Sequence, residues 1–165
     1  MNAGKRLRFG LIGLSGLTAA ALALSIFVHS FYGPWASFNR KLKEWEETYP
    51  IDFPDDFTLY HSYHVTYIDG SFVYGSLAPK VPYEFPYDAK FESDYRPDDY
   101  VFSLEEEVEA IRKSYANVNV PSFDSPCRYY ANHKKQAYRY HHFTAIYQPA
   151  TQALYVYFEV RQYDR

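Results

Sequence analysis

The sequence predicts an α+β protein: an N-terminal transmembrane helix, then a small domain with an antiparallel sheet of about four strands, in two hairpins, and two helices. Three patterns predict this architecture: an uncharged stretch near the start, β-branched and aromatic runs broken by turn residues, and apolar residues at helical spacing. The chain has 165 residues, of which 47% are hydrophobic and 22% charged. That composition is typical of one folded domain and not of a disordered chain.

We predict that residues 9–32 are a membrane anchor. Phe9–Val28 contains no charged residue and has the length of roughly 20 residues that a helix needs to cross a bilayer. Residues 1–8 are basic, so we expect a cytoplasmic N-terminus and a domain that is periplasmic or extracellular. A cleaved signal peptide stays an alternative, and it also delivers the domain out of the cytoplasm.

Residues 33–50 are expected to form a short amphipathic helix next to the membrane. Phe38, Leu42 and Trp45 recur at helical spacing. Ser37 is a suitable N-cap and Pro50 follows the run, so the helix is expected to start at Ser37 and to end before Pro50.

Residues 51–165 are predicted to be the exported α+β domain, and its first hairpin follows a strand signal. Residues 57–68 are mostly β-branched or aromatic, and Asp69-Gly70 supplies a turn before a second strand at residues 72–74. Residues 79–100 contain four prolines and are expected to form a long surface loop without regular structure.

The second half of the domain repeats the order of helix and hairpin. Ser103 and Glu106 make a capping box for a helix whose apolar face contains Leu104, Val108, Ile111 and Tyr115, with Asn117 as its stop. After a polar loop with Cys127, residues 136–147 and 153–163 read as two strands. Leu154, Val156, Phe158 and Val160 alternate along the last strand and are expected in the core.

Charge is distributed unevenly along the chain. Residues 44–124 contain 18 acidic and 5 basic side chains, whereas residues 125–165 contain 2 acidic and 6 basic. An acidic surface repels phosphate, so we expect no nucleic-acid partner. The acidic part could meet a basic protein or could only keep the domain soluble.

The histidines and the single cysteine do not form a recognisable catalytic or metal-binding motif. His61 and His64 face opposite sides of a strand, as do the adjacent His141 and His142, so a metal site would need one histidine from each hairpin, such as His61 with His141. Cys127 follows Pro126 in a loop without a helix N-terminus to activate it, although His133 could serve as its base. We therefore expect no enzyme activity, no cofactor and no metal.

The positive candidate for a binding site is the aromatic content of the loop at 79–100. Rings beside acidic residues can form a contact surface for a protein, or they can fold back over an edge of the core. The predicted binding residues are Tyr83, Phe85, Tyr87, Phe91, Tyr95 and Tyr100.

These observations favour a membrane-anchored, non-catalytic binding protein outside the cytoplasm, of an immunity type or a subunit of an envelope complex. Its expected partners are the membrane, through residues 9–32, and a protein. The alternative is a small envelope hydrolase or metal-binding protein that uses His61 and His141.

Overall fold

The computed structural model describes residues 21–26, 33–94, 103–114 and 118–162. The chain divides into two units, residues 1–41 and 42–165. The second unit contains a six-stranded sheet and the helix that packs on it. Residues 9–20 and 27–32 of the predicted anchor lie outside the described residues.

Three segments of the described chain are helical: residues 21–26, residues 33–46 (α1) and Leu104–Ser114 (α2). None of these described helices is both long and apolar enough to cross a membrane. The prediction that α1 begins at Ser37 is wrong, because the helix already includes residue 33. Its end agrees with the sequence: the amides of Thr48 and Tyr49 both donate to the Trp45 carbonyl, and Pro50 follows.

The start of α2 is capped as the sequence predicts. The Glu106 amide donates to Ser103 Oγ at 3.3 Å, and the Glu107 amide donates to the Ser103 carbonyl at 3.1 Å. These contacts satisfy donors that a helix N-terminus would leave unpaired. The expected end at Tyr115 and Asn117 lies outside the described residues.

The prediction of about four antiparallel strands is wrong, because the sheet has six strands and is mixed. Its order is β1-β2-β6-β5-β4-β3, and β3 runs parallel to β4 while the other neighbours are antiparallel. The strands are β1 Phe57–Thr66, β2 Gly70–Pro79, β3 Ala89–Ser93, β4 Arg128–Gln136, β5 Arg139–Gln148 and β6 Ala153–Gln162.

The two unexpected strands lie where the sequence indicates loops. β3 lies inside the Pro-rich segment 79–100, in a stretch of five residues without proline. β4 has the polar sequence RYYANHKKQ, yet Tyr130, Ala131, Asn132 and His133 are all buried. Pairing with β5 satisfies the backbone of β4, so its polar side chains do not prevent a strand.

The first hairpin is confirmed, but Gly70 has a different role from the predicted turn residue. The Tyr67 amide donates to the Gly70 carbonyl, so Ile68 and Asp69 form the loop and Gly70 begins β2. A Cβ at Gly70 would lie 1.9 Å from the carbonyl oxygen of Val160 on β6. Glycine is therefore required there by the close approach of a neighbouring strand.

Both faces of the sheet are covered. On one face, the aromatic face, Tyr49 stacks on Phe143 at 4.0 Å, and Trp45 meets Phe143 at 5.7 Å and Phe158 at 5.6 Å between ring centroids. The predicted core residues of β6 lie on this face: Leu154 and Val156 are fully buried, Val160 is 8% exposed, and Phe158 is only partly buried.

The opposite face, the α2 face, packs against α2. Val108 and Ile111 contact a cluster that includes Phe72, Tyr74 and Tyr155. The sequence therefore identifies one buried side of β6, and the structure buries the other side as well.

Candidate functional site

The predicted aromatic loop folds back on the domain over much of its length. The Tyr83 hydroxyl donates to the Asp52 carbonyl at 2.7 Å, and the Tyr87 hydroxyl donates to the Pro50 carbonyl at 2.6 Å. Phe85 is only 1% exposed and stacks on Tyr147 at 6.0 Å. These three rings therefore cover an edge of the core. The sequence left open whether they would do this or form a contact surface for a protein.

Of the other three predicted binding residues, the structure describes only Phe91. Phe91 lies on β3, where its ring meets His133 edge-on at 5.2 Å, and Tyr95 and Tyr100 lie outside the described residues. The accessible surface of the loop contains an open depression of about 490 Å³, which we call the loop depression. It is lined by Glu84, Phe85, Pro86, Tyr87, Asp88 and Arg128.

The two histidines of the alternative metal site are far apart. His61 lies on β1 and His141 on β5, with β2 and β6 between them. Three strand spacings amount to about 14 Å, which is too far for two side chains to share one ion. In the part of the chain that the structure describes, no three His, Cys, Asp or Glu side chains are placed to hold a metal.

Cys127 and His133 do not form a nucleophile and base. Cys127 immediately precedes β4 and His133 lies within the strand, about 20 Å away for six extended residues. The Cys127 thiol lies near the carbonyls of Ser122 and Ser125, and burial raises the pKa of the thiol. A raised pKa disfavours the reactive thiolate.

The structure instead brings together a polar cluster on the α2 face, formed by Glu107, His133, His142 and Thr144. His133 and His142 are paired across β4 and β5, and their rings stack at 4.1 Å with planes 7° apart. Thr144 Oγ1 donates to Glu107 Oε1 at 2.9 Å. The same carboxylate oxygen lies 3.9 Å from His133 Nε2.

The charge of this polar cluster is set by burial. Burial raises the pKa of Glu107 to about 7, against the opposing effect of the Thr144 hydrogen bond. Burial lowers the pKa of His133 to about 3 and also lowers the pKa of His142. Both imidazoles are therefore neutral at pH 7, so they cannot balance a negative charge on Glu107.

A cleft of about 370 Å³ opens beside the polar cluster, between α2 and the sheet end that carries the β1–β2 turn. We call it the α2 cleft. Glu159 Oε1 accepts a hydrogen bond from Arg161 Nε at 2.6 Å, and Glu159 Oε2 accepts one from the Tyr157 hydroxyl at 2.7 Å. The cleft is lined by Tyr67, Asp69, Gly70, Ala110, Ile111, Tyr157, Glu159, Val160 and Arg161.

The α2 cleft and the polar cluster are electrostatically linked. The negative charge of Glu159 contributes to the raised pKa of Glu107. Within the described residues, Glu107 Oε2 is buried and has no hydrogen-bond partner. The region thus combines three carboxylates, on Glu107, Glu159 and Asp69, with one guanidinium, on Arg161.

Sequence reasoning missed this region because its members come from three strands, the β1–β2 turn and a helix. Glu107 stands in the run Glu105–Glu107, which has the appearance of a solvated helix start, yet its side chain is only 13% exposed. One available signal was the spacing of Glu107, one residue before Val108 and four before Ile111, which places it at the border of the apolar face.

Comparisons of the chain with models of protein families, with curated proteins and with solved structures found no match.

Proposed function

We propose that this chain is a non-catalytic binding protein that takes a lysine or arginine side chain of a basic protein partner into the α2 cleft. One observation carries the proposal: three carboxylates converge at the cleft and behind it, and among the described residues that line the cleft only Arg161 is cationic. Such an excess of negative charge in a partly buried region is relieved by an incoming cation.

The side walls of the cleft favour an organic cation. Tyr67 and Tyr157 contribute aromatic rings, and Ile111 contributes apolar surface. Aromatic faces attract ammonium and guanidinium groups, and apolar walls pack against the methylene chain of lysine or arginine. A cleft of about 370 Å³ has room for one such side chain beside Arg161.

The polar cluster supports binding over catalysis. A general acid or base has to reach the substrate, but His133 is 4% exposed and Glu107 Oε2 is buried. The lowered pKa of His133 also removes it from the range in which an imidazole exchanges protons near neutral pH.

The test is a titration of the full-length protein with a short peptide of arginine, glycine and serine, followed by calorimetry. We expect binding that weakens with salt, and we expect none for a peptide of glutamate, glycine and serine. Glu159→Gln should weaken binding of the basic peptide by about tenfold, since it removes a carboxylate and leaves Arg161 to repel the ligand. Failure of the unmodified protein to distinguish the two peptides would exclude the proposal.

Two further variants locate the site. Asp69→Asn changes an exposed side chain of the cleft and should weaken binding without affecting the fold. Glu84→Gln is the matched control, because it removes one exposed carboxylate from the loop depression and none from the cleft.

The loop depression is the second candidate site, and the same variants test it. It combines the acidic side chains of Glu84 and Asp88 with the ring surface of Tyr87. Asp88 Oδ1 lies 3.4 Å from Arg128 Nε. If Glu84→Gln weakens peptide binding and Glu159→Gln does not, the loop is the site and the cleft is not.

Attachment to a membrane through residues 9–32, with the domain outside the cytoplasm, stays a prediction of the sequence. On that prediction the protein would meet its basic partner in the cell envelope. The partner would then be a toxin, for an immunity-type protein, or another subunit of an envelope complex.

A further inference from the structure

The two edges of the sheet differ in how they are protected against pairing with another strand. β3, at one edge, has five residues, and its Lys90 and Glu92 form an ion pair at 2.8 Å. β1, at the other edge, has ten residues and contains no aspartate, glutamate, lysine or arginine. Long uncharged edge strands are rare in monomers because their free backbone groups accept another strand.

The backbone groups that β1 directs away from β2 can be assigned from the hairpin. Tyr67 bonds to Gly70, so alternate residues, Val65 and Tyr63, also direct their amides and carbonyls toward β2. Ser62, His64 and Thr66 therefore direct theirs outward. Among the described strands, none lies beyond β1 on that side.

The outward edge of β1 is interrupted by a bulge near the beginning of the strand. The register with β2 shifts between Leu59 and His61, which leaves Tyr60 as an extra residue. A bulge of this kind interrupts a ladder, so the uninterrupted outward edge runs from His61 to Thr66.

We infer that β1 pairs antiparallel with β1 of a second copy of this chain, with the two-fold axis at His64. In this register His64 lies opposite His64 of the second copy, and Ser62 lies opposite Thr66. The three outward-directed residues of each copy then form about six backbone hydrogen bonds, and the two sheets become one.

Charge and exposure favour a second copy as the occupant. Two uncharged strands meet without repulsion, and Asp69, just beyond β1, falls opposite the beginning of the other strand, where Leu59 and Tyr60 carry no charge. The pairing also brings Tyr60, which is 52% exposed, near Ile68 of the second copy, which is fully exposed. Both side chains lose contact with water on association.

The test is disulfide trapping in the full-length protein with Cys127→Ser, which removes the native thiol. His64→Cys in this background should form a covalent dimer under mild oxidation, because directly paired Cα atoms lie about 5.5 Å apart and a disulfide spans that distance. Thr58→Cys is the matched control on the same strand. In the inferred register the two Thr58 positions are about 40 Å apart, so this variant should stay monomeric on a denaturing gel.

A second measurement does not depend on trapping. Sedimentation of the Cys127→Ser protein should give the mass of a dimer. Adding His64→Pro removes an outward-directed amide and no hydrogen bond to β2, so this variant should sediment as a monomer. Its circular dichroism spectrum should be unchanged. A monomeric parent protein overturns the inference. So does a dimer in which His64→Cys forms no more disulfide than Thr58→Cys.

Discussion

The rings of His133 and His142 stack face to face at 4.1 Å on neighbouring strands of the sheet. His133 is 4% exposed, and it faces Phe91 of β3, Glu107 of α2 and His142 of β5. Two protonated imidazoles at this distance would repel each other in a region from which water is largely excluded. The stack is therefore a property of the neutral rings, and protonation opposes it.

Acid should destabilise the fold through His133. The pKa of His133 is about 3 in the folded protein and 6.5 in the unfolded chain. The contribution of the neutral His133 to stability is therefore fully present above pH 6.5 and is lost as the pH falls toward 3. The loss is on the order of 1 kcal/mol per pH unit in that range. His133→Phe should lessen the acid loss, measured by urea unfolding at several pH values. An unchanged pH dependence in this variant would contradict the prediction.

Glu107 should destabilise the fold as the pH rises, whereas His133 destabilises it as the pH falls. The pKa of Glu107 is about 7 in the folded protein and 4.5 in the unfolded chain. Its contribution to the free energy of unfolding is therefore fully present below pH 4.5 and is lost as the pH rises through 7. Glu107→Gln keeps an oxygen for the Thr144 hydroxyl and cannot ionise. We expect it to raise the free energy of unfolding at pH 8 by up to about 3 kcal/mol, with the gain disappearing near pH 4. Glu106→Gln, at an exposed neighbour, is the control and should have little effect.

Gly70→Ala should destabilise the domain strongly. The new methyl group would lie 1.9 Å from the Val160 carbonyl oxygen, so β2 and β6 would have to separate. Backbone cannot move as a flexible side chain can, and we expect a loss of at least about 2 kcal/mol in thermal or urea unfolding. Ser71→Ala, one residue along the same strand, should change stability by less than about 1 kcal/mol. Equal stability of the two variants would show that the strands are not packed this closely.

Phe143→Ala should show how much the aromatic face contributes. Phe143 is fully buried and contacts the rings of Tyr49, Trp45 and Phe53. Removing it leaves a cavity between the sheet and the segment that follows α1, for an expected loss of about 3–5 kcal/mol. Tyr138→Ala, where the ring is 62% exposed, is the control and should lie within about 0.5 kcal/mol of the parent protein.

The elements whose signals are local can be predicted from the amino-acid sequence alone. The capping box at Ser103 and Glu106 predicts the start of α2, and alternation along β6 predicts the shared buried side of Leu154, Val156 and Val160. The β1–β2 hairpin is likewise predicted by its two runs and their turn. In each case the residues that carry the signal are within a few positions of the residues they organise.

Three features follow instead from the packing of the whole domain: β3 and β4 are strands, they run parallel, and Glu107, His133 and His142 meet. Six of the nine residues of β4 are charged or polar, and β3 lies among prolines, so neither has the local pattern of a strand. Their backbone is satisfied by neighbours distant in sequence, and the meeting of three titratable side chains depends on strand register. Register follows from the packing of the whole sheet, which no short stretch of residues specifies.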